Sequence, residues 1–114
     1  AGAFHSPMMQ PAAEALARVL ARTSIRPPRV PVIANVNAEP HRDPATIGQW
    51  LTAQLTSPVR WQASIEYLLA RGAERFIEIG PGRILTGLVK RISRRTPVVN
   101  ISTADGLAAL RVSA

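Results

Sequence analysis

Few side chains in this sequence are suited to chemistry, and His5 leads them. It lies in Gly2-Ala3-Phe4-His5-Ser6-Pro7-Met8-Met9, between a short extended segment and the start of a helix. Junctions between elements are where catalytic groups tend to be displayed. A lone histidine there serves either as a structural group or as a base, and composition alone leaves both open. Ser6 adjoins it, but neighbouring residues rarely meet at proton-transfer geometry. No serine occupies a Gly-x-Ser-x-Gly elbow, the strand-to-helix turn that lifts a hydroxyl for attack. Cysteine is absent, which removes disulfides, thiolate metal sites and a thiol nucleophile together.

Three other clusters have plainer readings. Gly80-Pro81-Gly82 stands where a phosphate loop would, between a strand and a helix. Leu85 occupies the place of the third glycine, no Gly-Lys-Ser/Thr ending follows, and Pro81 removes an amide donor, so the stretch reads as a tight structural turn. Glu39, His41 and Asp43 alternate like metal ligands, yet they read as a solvated turn between prolines. Lys90, Arg91, Arg94 and Arg95 read first as a solvated helix face and second as a docking surface for an anionic partner.

The elements that must position these groups follow from periodicity. Residues 11–22 form a helix with Ala13, Leu16, Val19 and Leu20 on one face and Pro11 in its first turn. Residues 23–31 are a linker in which Pro27, Pro28 and Pro31 forbid helix. Val32-Ile33-Ala34-Asn35-Val36 reads as a short buried strand of a parallel sheet. Asp43 caps a helix over residues 44–55, with Pro44 in its first position and Ile47, Trp50, Leu51 and Leu55 inward. Gln54 falls on that same apolar face, so its amide or the backbone around it needs a specific partner.

A third helix spans residues 59–71 and stops at Gly72, placed for a C′ cap. Strands follow at 75–79 and 97–101, with a helix carrying Ile84, Leu85, Leu88, Val89 and Ile92 between them and a weaker helix at 104–112. Such alternation predicts an α/β protein with a short, largely parallel sheet of three strands flanked by helices.

Composition narrows the partners. The chain has 114 residues, 46% hydrophobic and only 4% aromatic, enough for one modest core of Ala, Val, Ile and Leu. Fourteen basic against seven acidic residues give +7, and thirteen of the fourteen are arginine, which suits phosphates and carboxylates. The scarcity of aromatic rings argues against base stacking. No apolar run approaches a membrane span and no secretory signal is visible. The abrupt opening on small residues without methionine leads us to expect a start inside a longer polypeptide or at a trimmed end.

Four separated motifs, in order, resemble the malonyl-CoA:acyl carrier protein transacylases. They are the opening Gly2–Met9 stretch, Pro31-Val32-Ile33-Ala34-Asn35-Val36, Gln54-Leu55-Thr56-Ser57-Pro58-Val59-Arg60-Trp61, and Phe76-Ile77-Glu78-Ile79-Gly80-Pro81-Gly82-Arg83-Ile84-Leu85-Thr86-Gly87-Leu88-Val89-Lys90-Arg91-Ile92. Its ending, Leu85-Thr86-Gly87-Leu88-Val89-Lys90-Arg91-Ile92, looks more like free-standing bacterial or organellar enzymes than the related acyltransferase domains of modular polyketide synthases.

The resemblance implies the C-terminal part of an α/β-hydrolase-like acyltransferase large domain over residues 1–114. The nucleophile half and the ferredoxin-like subdomain would lie upstream. It makes His5 the general base, Gln54 the residue whose backbone carbonyl orients it, and Phe4 a contributor to malonyl selectivity. The serine, the carboxylate-binding arginine and the first oxyanion-hole donor have no counterpart here, so the isolated chain is expected to be inactive.

The implied substrate is malonyl-CoA, with no cofactor and no metal. The implied partners are acyl carrier protein and either the missing N-terminal half or a second copy of the chain; nucleic acid and membrane are not expected, and the setting is cytoplasmic. The competing reading is a non-catalytic basic module binding an acidic protein or nucleic acid.

Overall fold

The computed structural model describes residues 2–112, which divide between Tyr67 and Leu68 into two compact units. In the first, a 3-10 turn at Pro7–Met9 leads into α1, Gln10–Leu20. Pro11 sits in the first turn of α1, where a missing N–H is harmless. Ala13 is buried, whereas Val19, expected inward, is 62% exposed.

Residues 32–36 do not form a strand. Ile33 makes only an isolated antiparallel bridge to Pro40, closed by His41 N–H to the Val32 carbonyl (2.7 Å) and Ala34 N–H to the Glu39 carbonyl (2.8 Å). The chain reverses at Ala38, in the left-handed region with φ 62°, while the Asn37 side chain accepts from Glu39 N–H. Pro31 and Pro40 lack the amide donors a ladder would need. The segment instead forms a tight loop over residues 32–41 that buries Ala34 and Ala38.

The helix α2, Pro44–Ala53, starts as expected on Asp43, whose Oδ1 accepts from Thr46 N–H at 3.0 Å. The Thr46 hydroxyl also binds this carboxylate and, with the Thr46 amide, holds it below the usual carboxylate range. The next helix, α3, covers Trp61–Ala70. Gly72 caps it with φ 85°, a left-handed conformation in which a Cβ is strained, while Ala73 N–H reaches back to the Leu68 carbonyl.

The second unit is built on β1 (Phe76–Ile79) and β2 (Val98–Ile101), a parallel pair in the register Phe76 to Val98 and Ile79 to Ile101. The sheet has two strands among the described residues, not three, because the 32–36 segment is absent from it. The helix α4, Ile84–Ile92, connects the strands, and α5, Ala104–Val112, follows β2. Lys90 Nζ donates to the carbonyls of Arg94 and Thr96 and closes the turn after α4, so this cation is not free for docking.

Glu78 explains the glycine turn. Its carboxylate accepts from Leu85 N–H, Thr86 N–H (both 3.0 Å) and the Thr86 hydroxyl (2.5 Å), the groups at the start of α4. Two of the amides at the start of α4 that a phosphate would use are therefore already bonded, which favours the structural reading of Gly80-Pro81-Gly82.

The Thr86 hydroxyl first, and the two amides with it, hold the Glu78 carboxyl below its ordinary value of 4.5. A depressed folded value means that this stabilisation is complete above the unfolded value and lost as pH falls through the folded one. Glu78→Gln resembles the protonated acid at every pH. We expect it to lower the thermal midpoint at neutral pH and to match the wild type once pH falls below both values. A midpoint difference that persists in acid would contradict this.

Candidate active site

Three local features shape the histidine. Ser6 precedes a proline and is extended (φ −136°, ψ 163°), as proline requires of its predecessor. Its hydroxyl donates to the Ala3 carbonyl at 2.6 Å across the turn, and its own carbonyl accepts from Met9 N–H at 3.0 Å. Between these anchors His5 is forced to φ 62°. A non-glycine residue there bears roughly 1–2 kcal/mol of strain, the kind of local cost that collects at functional sites. Because Ser6 is bonded to Ala3, it is not the partner of the imidazole.

The partner lies 49 residues on. His5 Nδ1 is 2.8 Å from the Gln54 backbone oxygen. A carbonyl only accepts, so Nδ1 carries the proton, and in the neutral ring Nε2 keeps its lone pair. Nε2 is left without a hydrogen bond among the described residues. The exposed ring thus presents a basic nitrogen in a fixed tautomer, the orienting job that an aspartate performs in a Ser-His-Asp triad.

The carbonyl is available because of how α2 ends. Its last turn tightens, with Leu55 N–H bonded to Thr52 and Thr56 N–H to Ala53. In a continuing helix the Gln54 carbonyl would receive the amide of residue 58, but that residue is Pro58. Among the described residues, only Ser57 N–H approaches it from the main chain, at 3.4 Å.

The Gln54 side chain, expected to need a partner, has one in Asn35, whose Nδ2 donates to Gln54 Oε1 at 3.1 Å. Sequence reasoning assigned no role to Asn35. Phe4, 65% exposed, stands beside His5 with its ring against Gly2; a Cβ on Gly2 would meet that ring at 2.7 Å.

A small cavity of about 250 Å³ adjoins this framework, lined by Val32, Asn35, His41, Trp50 and Gln54 among others. His41 is half-buried against Trp50, with ring centroids 5.2 Å apart, and does not sit in a fully solvated turn. Its possible co-ligands are engaged elsewhere, Glu39 with Asn37 and Asp43 with Thr46. Among the described residues no group of three such side chains is placed to hold a metal. A larger groove of about 830 Å³ lies between α1 and α2, and neither His5 nor Gln54 lines it. No helix among the described residues is long and apolar enough to cross a membrane.

Comparison with known proteins identifies the family. Residues 2–110 match the acyl transferase domain model. A malonyl CoA-acyl carrier protein transacylase of Bacillus subtilis is 48% identical over 104 residues, covering 91% of this chain and 33% of the relative. The crystal structure of an acyl-carrier-protein S-malonyltransferase from Bartonella henselae superposes with a TM-score of 0.90 at 42% identity, over 98% of this chain and 36% of that one. A malonyl-transacylase solved in complex with its type II polyketide-synthase acyl-carrier protein gives 0.87 at 37% identity, over 96% and 36%. The chain spans about a third of the length of the curated relatives it matches. Its α/β architecture is theirs, and a match over nearly its whole length makes it a member of the acyl transferase domain family.

Proposed function

We propose that this chain is the base-bearing, C-terminal segment of the large domain of a malonyl-CoA:acyl carrier protein transacylase. The nucleophilic serine and the ferredoxin-like subdomain belong to a portion outside these 114 residues. The observation that carries this reading is the His5 Nδ1 to Gln54 carbonyl bond, which leaves Nε2 free to accept a proton. The similarity to malonyl transacylases supports the substrate, and the relative solved with its acyl-carrier protein supports the partner.

In the first half-reaction the serine oxygen adds to the malonyl thioester carbon as its proton passes to His5 Nε2. The tetrahedral adduct collapses, the carbon–sulfur bond breaks, and the coenzyme A sulfur leaves as the thiol with that proton. In the second, the phosphopantetheine thiol of acyl carrier protein gives its proton to Nε2 and adds to the acyl-serine. The serine then departs, reprotonated by the imidazolium. The Gln54 carbonyl accepts from Nδ1 in both protonation states, so the ring keeps its aim throughout. Phe4, one residue before the base, contributes to the preference for malonyl over a bulkier acyl group. The reaction needs no cofactor and takes place in the cytoplasm.

Incubation with malonyl-CoA followed by intact mass and peptide mapping tests this reading. The 114-residue chain should stay unmodified, and the whole enzyme should gain one malonyl ester on a serine outside it. A malonylated residue within the chain would overturn the division of labour.

A further inference from the structure

We propose that Asn35 is the positioning residue that sets the carbonyl used by His5. The Gln54 carbonyl is poorly fixed by its own segment, with Pro58 supplying no amide and Ser57 N–H at the long distance of 3.4 Å. Asn35 holds that segment at both ends. Its side-chain Nδ2 donates to Gln54 Oε1 at 3.1 Å, and its main-chain carbonyl accepts from Arg60 N–H at 2.8 Å. The clip is itself anchored, because the adjacent Ala34 is buried and bonded through both its N–H, to Glu39, and its carbonyl, from Ala38. The tight loop at 32–41 thereby supplies a brace for residues 54–60, and its asparagine is the contact point.

The chemistry of the pair is neutral and reciprocal. Two primary amides each carry a donor and an acceptor, so the bond persists if both turn over together. An apolar side chain at either position removes it without touching the carbonyl that His5 uses. The consequence for acyl transfer rests on the proposed role of His5 as base; the geometry of the brace does not.

The test reads the imidazole tautomer of His5 by nitrogen-15 NMR in the 114-residue chain, where only two histidines contribute signals. The wild-type ring should be predominantly the Nδ1–H form. Asn35→Ala and, as an independent variant that leaves the loop intact, Gln54→Met should each shift the tautomer ratio about fivefold toward Nε2–H, the equivalent of one ordinary hydrogen bond. The double variant should match either single one, because both remove the same bond.

An unchanged ratio in folded Gln54→Met, or effects that multiply in the double variant, would overturn the positioning role. A correct tautomer response in an enzyme that never transfers malonyl would leave the brace standing and count against the acyl-transfer reading instead.

Discussion

Replacing His5 by alanine in the whole enzyme is expected to slow malonyl transfer by roughly a hundred- to ten-thousand-fold, the usual contribution of a positioned base. The loss should appear equally in kcat and kcat/KM, because proton transfer to Nε2 is an interaction made on the way to the transition state. Alanine alone does not separate chemistry from folding, since His5 is held at φ 62°. Asparagine tolerates that conformation far better and can donate to the Gln54 carbonyl, but it has no basic nitrogen. His5→Asn should therefore keep the thermal midpoint and still lose transfer. Activity within tenfold of wild type in that variant would show that His5 is only a structural plug for the end of α2.

The pairing of His5 with Gln54 comes from the family resemblance and not from periodicity, because the two stand 49 residues apart; only the local determinants on either side of it lie within reach of the sequence. The αL turn at His5 depends on Ser6-Pro7, and the free carbonyl at Gln54 depends on a proline four residues later. Asp43 and Gly72 announced their caps by residue type and position alone. The 32–36 segment misled because a short apolar run looks the same in a strand and in a loop that buries Ala34 and Ala38. What decides between them is the reversal at Ala38 and the proline that follows, and neither shows in hydrophobic period. Asn35 was invisible for a different reason, its partner being 19 residues away at the far end of α2. Glu78 was given no role within the strand at 75–79, yet it caps a helix whose first bonded amide is seven residues on. Contacts that cross elements need coordinates, and both residues sequence reasoning missed are of this kind.

Ile79→Asp is expected to act with opposite signs in the two settings of this chain. By strand alternation Ile77, Ile79, Val99 and Ile101 share one face of the β1–β2 pair. Ile101 is covered beside α5, where a Cβ on Gly106 would lie 3.6 Å from it. Ile79 is 73% exposed, and Ile77 and Val99 are 39% exposed. Parallel sheets occur almost only with both faces covered, and a two-stranded sheet is marginal alone, so this face and the strand edges call for a cover. The rest of the enzyme, or a second copy of the chain in its absence, is the cover that follows from the proposed function.

In the isolated chain the new carboxylate adds charge to an exposed position. There it should convert self-associating material into monomer, as read by light scattering across a concentration series. In the whole enzyme the same carboxylate would be buried without a partner, at a cost of about 3–5 kcal/mol, a large share of the stability of an ordinary domain. Its thermal midpoint should fall sharply. A wild-type chain that stays monomeric at high concentration, or a whole enzyme indifferent to Ile79→Asp, would mean that this face is solvent-facing in the native protein and that the cover lies elsewhere.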